Sequence, residues 1–320
     1  MKIGLIDCDK KNCKNPFPNL ALMKLSAWHK KQGDTVEWYE PLFGGHYDKV
    51  YVAKVFSFSD NYVFEINADE IVYGGSGFAI SVVNGHEVYD KEKDKPLDYE
   101  IEHIFPDYSI YGSTDTAYGF LTRGCPRGCS FCHVQAMQGC KAHKVADLSE
   151  FFRGGQKYIK LLDPNITACS EWKDLFQQLI DSKATVDFTQ GLDIRLMTDE
   201  KIEMLAKIKV DRVHFAWDRY EDKELIVPRL KRFKEITNWD RRKIVVYCLM
   251  GDKQRKIANE DLERIYTLRE IGVYPYVTIY NKNQLPKGHE IIKLQRWVNN
   301  RFMWEANNTF EEYLEGKKGQ

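Results

Sequence analysis

The stretch Arg123-Gly124-Cys125-Pro126-Arg127-Gly128-Cys129-Ser130-Phe131-Cys132 decides how the chain is read. It gathers three of the eight cysteines within eight residues, at Cys-x3-Cys-x2-Cys spacing. It directly follows a strand pattern at 118–122. Five more strand patterns come after it, at 158–162, 185–189, 212–217, 243–249 and 274–279. Helical segments lie between them, among them 171–182, 199–208 and 260–271. Ser170 and Thr198 are expected N-caps and Gly272 a C-terminal stop. Six βα units at this spacing predict an open, partial (β/α)6 barrel of TIM type, with catalytic residues at the C-terminal ends of its strands.

The chain before this stretch alternates in the same way. Strand patterns at 2–6, 35–39, 49–56 and 70–73 flank a helical pattern at 19–31, whose apolar residues are Leu20, Leu22, Met23, Leu25 and Trp28 and whose stop is Gly33. The expectation is an α/β fold that opens with a doubly wound, Rossmann-like domain, a small parallel sheet with helices on both faces. Gly74-Gly75-Ser76-Gly77 ends one of these strands, where ligand crevices commonly form. It does not satisfy Gly-x-Gly-x-x-Gly and reads first as a tight turn. Residues 84–117 lack strong periodicity, include the charged run Lys91-Glu92-Lys93-Asp94-Lys95-Pro96, and read as a linker. Residues 291–304 read as one terminal helix bearing Trp297, Phe302 and Trp304, followed by Phe310 and Tyr313. The expected division is 1–110, 111–285 and a short helical C-terminal tail, 286–320.

Composition excludes several classes. A chain of 320 residues, 43% hydrophobic and 29% charged, has enough apolar material for sizeable cores and is not a disordered chain. Lys and Arg number 47, as do Asp and Glu, so net charge gives no indication of nucleic-acid binding. Residues 229–256 hold ten Lys/Arg against three Asp/Glu. That run reads first as a solvated helix face, and otherwise as a patch for a phosphate-bearing substrate or a protein partner. The longest charge-free apolar run, 71–86, is broken by Gly, Ser and Asn, so no membrane span is expected. The N-terminal apolar stretch stops at Asp7, unlike a secretory signal. A cytoplasmic protein is expected, and clustered cysteines in a reducing compartment read first as metal ligands.

Three thiolates on one short loop match three irons of a 4Fe–4S cube, whose complete ligation takes four. An open coordination site marks a catalytic rather than a structural centre, as argued for zinc. Gly124 and Gly128 are expected to let the backbone wrap closely around a bulky cluster. Zinc is the alternative, with His133, Cys140 or His143 completing a set of four. Structural zinc sites usually pair two knuckles, and only one compact knuckle is present here.

The motif and its place after the first barrel strand resemble the radical S-adenosylmethionine (SAM) enzymes. Cys125, Cys129 and Cys132 fall on that family's three cluster ligands and Phe131 on its aromatic position before the third cysteine. The resemblance implies a 4Fe–4S cluster whose open iron binds SAM through its amino and carboxylate groups. It implies reductive cleavage of SAM to a 5′-deoxyadenosyl radical, hydrogen abstraction from a substrate, and a flavodoxin- or ferredoxin-type reductant as partner. The N-terminal segment resembles, by pattern alone, the cobalamin-binding-type domain of one branch. Asp7-Cys8-Asp9-Lys10 lacks the histidine of the Asp-x-His-x-x-Gly motif, so cobalamin would bind base-off or the domain would stand as an empty relic. Cys8 and Cys13 are one short of the second-cluster triad of the methylthiotransferases.

The resemblance also implies where SAM is held. Asp163 and Asn165, after the second barrel strand, resemble a turn that offers oxygen acceptors to an ammonium; the alternative is a turn and helix entry. Arg195 would pair with the SAM carboxylate, or else with Asp193 in a salt bridge. Gln190 and Asp193 would meet ribose hydroxyls or substrate, and Asp218 would reach the same region. Met250-Gly251 loosely resembles the family's adenine turn. His214 reads as a packed strand histidine. A non-enzymatic iron–sulfur protein and a zinc-stabilised nucleic-acid-binding module are the rival readings, and substrate and net reaction stay open.

Overall fold

The computed structural model describes residues 1–10, 17–83, 86–112, 115–251 and 256–316. Cys13 and residues 252–255 of the basic run lie outside that set. The chain packs as two compact units, Met1–Pro164 and Asn165–Gln320. Both are mixed α/β structures with parallel strand pairing. No helix among the described residues is long and apolar enough to cross a membrane.

In the first unit, β1 (Lys2–Asp7), β2 (Thr35–Trp38), β3 (Tyr47–Ala53) and β4 (Ala68–Gly74) form a parallel sheet in the order β2-β1-β3-β4. The helix α1 (Leu20–Lys31) starts where the Asn19 side chain accepts from the Leu22 N–H at 3.1 Å. Its Leu22 and Leu25 pack with Ile3, Leu5 and Ala53. A separate cluster of Ile6, Tyr47, Val50 and Val52 is covered by Tyr39, Tyr62 and Ile66 from connecting loops and by Phe78 from a single helical turn at Ser76–Ala79. This departs from the doubly wound expectation. The β2–β3 and β3–β4 connections carry no helix, and bulky loop side chains supply the apolar cover that a second helical layer would give.

The presumed linker is partly structured. Beyond α2 (Ser76–Ala79), β5 (Ile80–Val83) pairs antiparallel with β6 (His86–Tyr89), and α3 (Tyr99–Glu102) follows. Elements of four residues are too short to leave a periodic signal. Gly75, at φ +101°, lies so close to the β3 end that a Cβ would sit 2.3 Å from the Lys54 carbonyl oxygen. Close backbone packing thus accounts for this glycine, in keeping with the tight-turn reading.

The chain continues through β7 (Thr116–Gly119), β8 (Thr122–Arg123), α4 (Val134–Gln138), β9 (His143–Lys144) and β10 (Tyr158–Leu161). β7 and β10 pair in parallel; β8 and β9 pair antiparallel. The strand expected at 118–122 is therefore two strands, parted at Phe120-Leu121.

The second unit runs α5 (Trp172–Ser182), β11 (Thr185–Phe188), α6 (Asp199–Lys207), β12 (Val213–Ala216), α7 (Lys223–Thr237), β13 (Ile244–Met250), α8 (Asn259–Ile271) and β14 (Tyr274–Ile279). β12, β13 and β14 form a parallel sheet. β11 lies beside β12, joined by a Val186–Val210 bridge and by the Leu192 N–H donating to the His214 carbonyl at 2.7 Å. Val213, Phe215, Ile244, Val246, Cys248 and Val277 are buried on one face, where Phe215 meets Phe233 of α7 edge-on at 5.0 Å. The tail folds as α9 (Glu290–Asn299), α10 (Arg301–Ala306) and α11 (Phe310–Gly316).

Three sequence expectations need correction here. The tail helix breaks at Asn300, whose side chain accepts from the Met303 N–H and starts a new helix. Residues 229–256 are not one solvated helix face, because α7 ends at Thr237 and β13 buries Ile244, Val246 and Cys248. Thr198 caps α6 as expected, but the N-cap position of α5 is Glu171, not Ser170.

Arg264 of α8, 3% exposed, clamps the ends of β12 and β13. Its Nη1 donates to the carbonyls of Trp217 (2.6 Å) and Asp218 (2.9 Å), and its Nη2 to the Leu249 carbonyl (3.0 Å) and Asp261 Oδ1 (2.7 Å). Arg264→Met keeps the length but strands these buried acceptors, at an expected cost of about 3 kcal/mol. A melt followed by circular dichroism should then drop by roughly 6–12 °C. A shift below about 2 °C would mean that the clamp adds no net stability.

Candidate functional site

The three cysteines stand on the loop that joins β8 to β9. The pairs Thr122↔Lys144 and Arg123↔His143 close that loop at its base. Further contacts gather it: the Cys125 N–H donates to the Gly139 carbonyl at 3.1 Å, and Gln135 Nε2 donates to the Cys125 carbonyl at 3.2 Å. Gly124, at φ +82°, would place a Cβ 2.3 Å from the Lys141 carbonyl oxygen, so only glycine lets the returning chain pass. Gly128 differs: its φ is not positive, and a Cβ there would make only ordinary contact with Gln135 Oε1, at 3.8 Å.

Cys125 and Cys129 are half-buried and Cys132 is exposed at its rim. Partial desolvation, then the neighbouring Cys125, push the Cys132 thiol above its ordinary value, against the Val134 backbone N–H. A thiol with that bias is protonated at neutral pH until a metal displaces the proton. Phe131 is half-buried between Ser130 and Cys132. The zinc candidates point elsewhere: His133 Nε2 lies 3.5 Å from Glu87, and His143 Nδ1 lies 3.1 Å from the Lys141 carbonyl. Among the described residues, no group of three or more His, Cys, Asp or Glu side chains is drawn together as a metal site.

The donor chemistry of the loop nevertheless suits an anionic cluster. From Thr116 to Ala146 the sequence contains no Asp or Glu, while Arg123, Arg127, Lys141 and Lys144 are all cationic. At the base, Glu102 Oε1 accepts from Arg123 Nη2 at 2.9 Å and pairs with Lys24 Nζ at 3.0 Å. Burial alone would raise the Glu102 carboxyl, but Lys24 and Arg123 outweigh it and hold the group below its ordinary value. The carboxylate-free stretch is a signal that the cysteine spacing overshadowed.

Asp163, 4% exposed, turns both oxygens to the start of this loop. Oδ2 accepts from the Leu121 N–H (3.1 Å); Oδ1 accepts from the Thr122 N–H (2.6 Å) and Thr122 Oγ1 (2.7 Å). Desolvation pushes its carboxyl up to about 6, and these hydrogen bonds hold the rise back. Asp218 is used alike: Oδ1 accepts from the Leu249 N–H at 3.1 Å, and burial raises its carboxyl. Asp163, expected at the SAM ammonium, and Asp218, expected at the ribose or the substrate, thus both accept from backbone amides.

The remaining expected residues belong to the second unit and come together at the ends of β11 and β12. Thr167 Oγ1 donates to Asn165 Oδ1 (2.7 Å) and accepts from the Asp193 N–H (3.3 Å). Arg195 Nε donates to Asp193 Oδ1 (2.8 Å), and its Nη1 donates to Asp222 Oδ2 (2.7 Å). Of the two pairings weighed for Arg195, the Asp193 salt bridge is the one seen. Asp218 feels Arg195 and Asp222 electrostatically. Gln190 is exposed at the head of the same loop. Thr167 and Asp222 were missed because neither belongs to a motif; only the fold brings them in. In the first unit Cys8 is half-buried, and desolvation raises its thiol. No family model matches the chain, and no curated protein matches it either.

Burial of Asp163 has a pH signature. Its folded-state pKa, about 6, lies above the unfolded value near 3.8. The stability it contributes is complete below the lower value and is lost as pH rises through the upper one. Asp163→Asn removes that titration and presents an amide nitrogen to a backbone donor. Urea midpoints measured from about pH 4 to pH 7 should show wild type losing on the order of 3 kcal/mol relative to the variant as pH rises. A pH-independent difference would place the carboxylate in water.

Proposed function

We propose that the chain is a radical SAM enzyme in which Cys125, Cys129 and Cys132 hold a 4Fe–4S cluster. The observation that carries this reading is a Cys-x3-Cys-x2-Cys loop, closed at its base by β8 and β9 and free of carboxylates along its sequence. Three soft thiols suit iron–sulfur ligation, and the basic side chains offset the negative charge that such a cluster carries. Cluster binding to this loop releases the cysteine protons, so loading is favoured as pH rises.

When bound, the cluster would supply the electron for reductive cleavage of SAM, and the resulting 5′-deoxyadenosyl radical would take a hydrogen atom from the substrate. The protein's own residues serve binding and orientation. Phe131 stands beside the third ligand. Asp193, Arg195, Asn165 and Gln190 offer polar groups at strand ends for the amino-acid and ribose parts of SAM. Arg195 would then exchange one of its two carboxylate partners for that of SAM. Asp163 acts as a positioning residue, through the backbone that enters the cysteine loop. The partial barrel, a flavodoxin- or ferredoxin-type reductant and a cytoplasmic setting belong to the same proposal. The first unit's parallel sheet is compatible with a cobalamin-type domain, and without the motif histidine cobalamin would bind there base-off or not at all.

Two measurements test it. Anaerobic reconstitution should load about four irons per chain, and a triple Cys125→Ala/Cys129→Ala/Cys132→Ala variant close to none. Equal iron in both would sink the assignment. Loaded wild type given dithionite and SAM should release 5′-deoxyadenosine and methionine. A fully loaded protein that makes neither, across several reductants, is an electron-transfer protein instead.

A further inference from the structure

Opposite the buried face of the β12–β14 sheet, polar and aromatic side chains meet one another and no hydrogen bond or ion pair from another described residue engages them. The register Ala216↔Tyr247↔Tyr276 puts both tyrosines on this face. The His214 ring lies nearly parallel to Tyr247, at 13° with centroids 5.4 Å apart, and Tyr276 meets Tyr247 edge-on at 5.4 Å. Asp187 of β11 is close enough to act electrostatically on both His214 and Tyr247. Asp187, His214 and Tyr247 are half-buried, and Tyr276 is 43% exposed. No side-chain hydrogen bond or ion pair joins any of the four to another described residue.

That arrangement has a chemical direction. Arg212 acts on His214 from the other sign, but no hydrogen bond or ion pair from a described residue engages the Asp187 carboxylate, which leaves its oxygens to accept from a ligand's N–H groups. His214 buries Nδ1 without a partner among the described residues, and desolvation shifts the ring toward its neutral form. An orphaned lone pair is better tolerated there than an orphaned N–H, so the proton sits on Nε2, which becomes a donor. The face therefore offers a flat aromatic platform, an edge-on wall, a two-oxygen acceptor and one N–H donor. A planar ring with two adjacent N–H donors matches a carboxylate in the bidentate way. Guanine and pterins carry that edge, a ring N–H beside an exocyclic amine, together with acceptors for the His214 proton. Adenine and cytosine place a ring lone pair beside the amine, and that lone pair would face the carboxylate.

We propose that Asp187, His214, Tyr247 and Tyr276 bind the substrate, and that the substrate is a planar heteroaromatic with the guanine-type 2-amino-4-oxopyrimidine edge. The inference rests on the reading of the chain as an enzyme, and it adds the substrate class.

Calorimetric titration of the full chain with guanosine, inosine, adenosine, 6-hydroxymethylpterin and SAM is the test. Inosine keeps the ring N–H and lacks the amine, so it should bind about tenfold more weakly than guanosine. Asp187→Asn should erase that difference. Tyr247→Ala should weaken guanosine about tenfold or more through lost stacking. Whichever of guanosine and the pterin binds more tightly identifies the source of the edge. Equal affinity for guanosine and inosine, no binding of either guanosine or the pterin, or displacement of guanosine by adenosine or SAM would each overturn the proposal. Iron loading of wild type is scored separately. A loaded protein without guanosine discrimination defeats this inference alone, and a guanosine binder that takes up no iron defeats the cluster assignment alone.

Discussion

An aspartate two residues beyond a strand end, bonded to the amides of the neighbouring parallel strand, is the constraint on which both units depend. Asp9 follows β1 and accepts from the Val55 N–H (2.7 Å) and the Phe56 N–H (3.3 Å), just past β3. Asp163 follows β10 and takes the Leu121 and Thr122 amides, just past β7. Asp218 follows β12 and takes the Leu249 amide, near the end of β13. In each case the two strands pair in parallel. Where a parallel ladder stops, the next amides splay away from any strand partner, and a buried amide without an acceptor is costly. A short carboxylate fixed at the adjacent strand end reaches them; Arg264 does the converse work for the carbonyls of Trp217, Asp218 and Leu249.

This explains why strand-end polar residues are ambiguous in a sequence. The same positions serve ligands in open α/β sheets and in barrels. Asp163 and Asp218 stand at such positions, where SAM or substrate is expected, and both carboxylates are turned to backbone. What separates the two uses is the neighbouring strand, whose pairing no local pattern reveals. Asp187 and Arg195 show the complement. Asp187 lies within a strand, faces away from the core and has no partner among the described residues, while Arg195 is shared between two carboxylates within its own unit.

Much of the fold was legible in period and punctuation. The helix at 19–31, the strands at 2–6, 35–39, 158–162, 185–189 and 274–279, and the Gly272 stop all have counterparts within a residue or two. The illegible parts share a physical cause. The β5–β6 hairpin and α3 are too short for a period to show. The break at Asn300 depends on a side-chain cap overriding an apolar pattern that runs on through Trp304. The second helical layer of the first unit was inferred from alternation alone, but Tyr39, Tyr62 and Ile66 cover the sheet from loops. At the site, the spacing of Cys125, Cys129 and Cys132 was plain in the sequence. The supports of the loop were not, because Asp163, Glu102 and Lys24 are distant along the chain and meet it only in the fold.

Those supports bear on how the loop would take a cluster. A free loop of this length must lose conformational entropy before three thiols can meet one ligand. Here the closure is already made by the two residue pairs of β8 and β9, by Asp163 and by ion pairs at both ends, Arg123 with Glu102 and Lys144 with Asp147. The exposed Lys144–Asp147 pair adds little by itself. Arg123 counts for more, because Glu102 is partly buried and also engages Lys24. What remains for ligand binding is local rearrangement of residues 124–142 and the displacement of thiol protons by the metal. The loop is thus pinned at its base by residues distant in the chain, while the cysteines that would meet a cluster stand on the segment between.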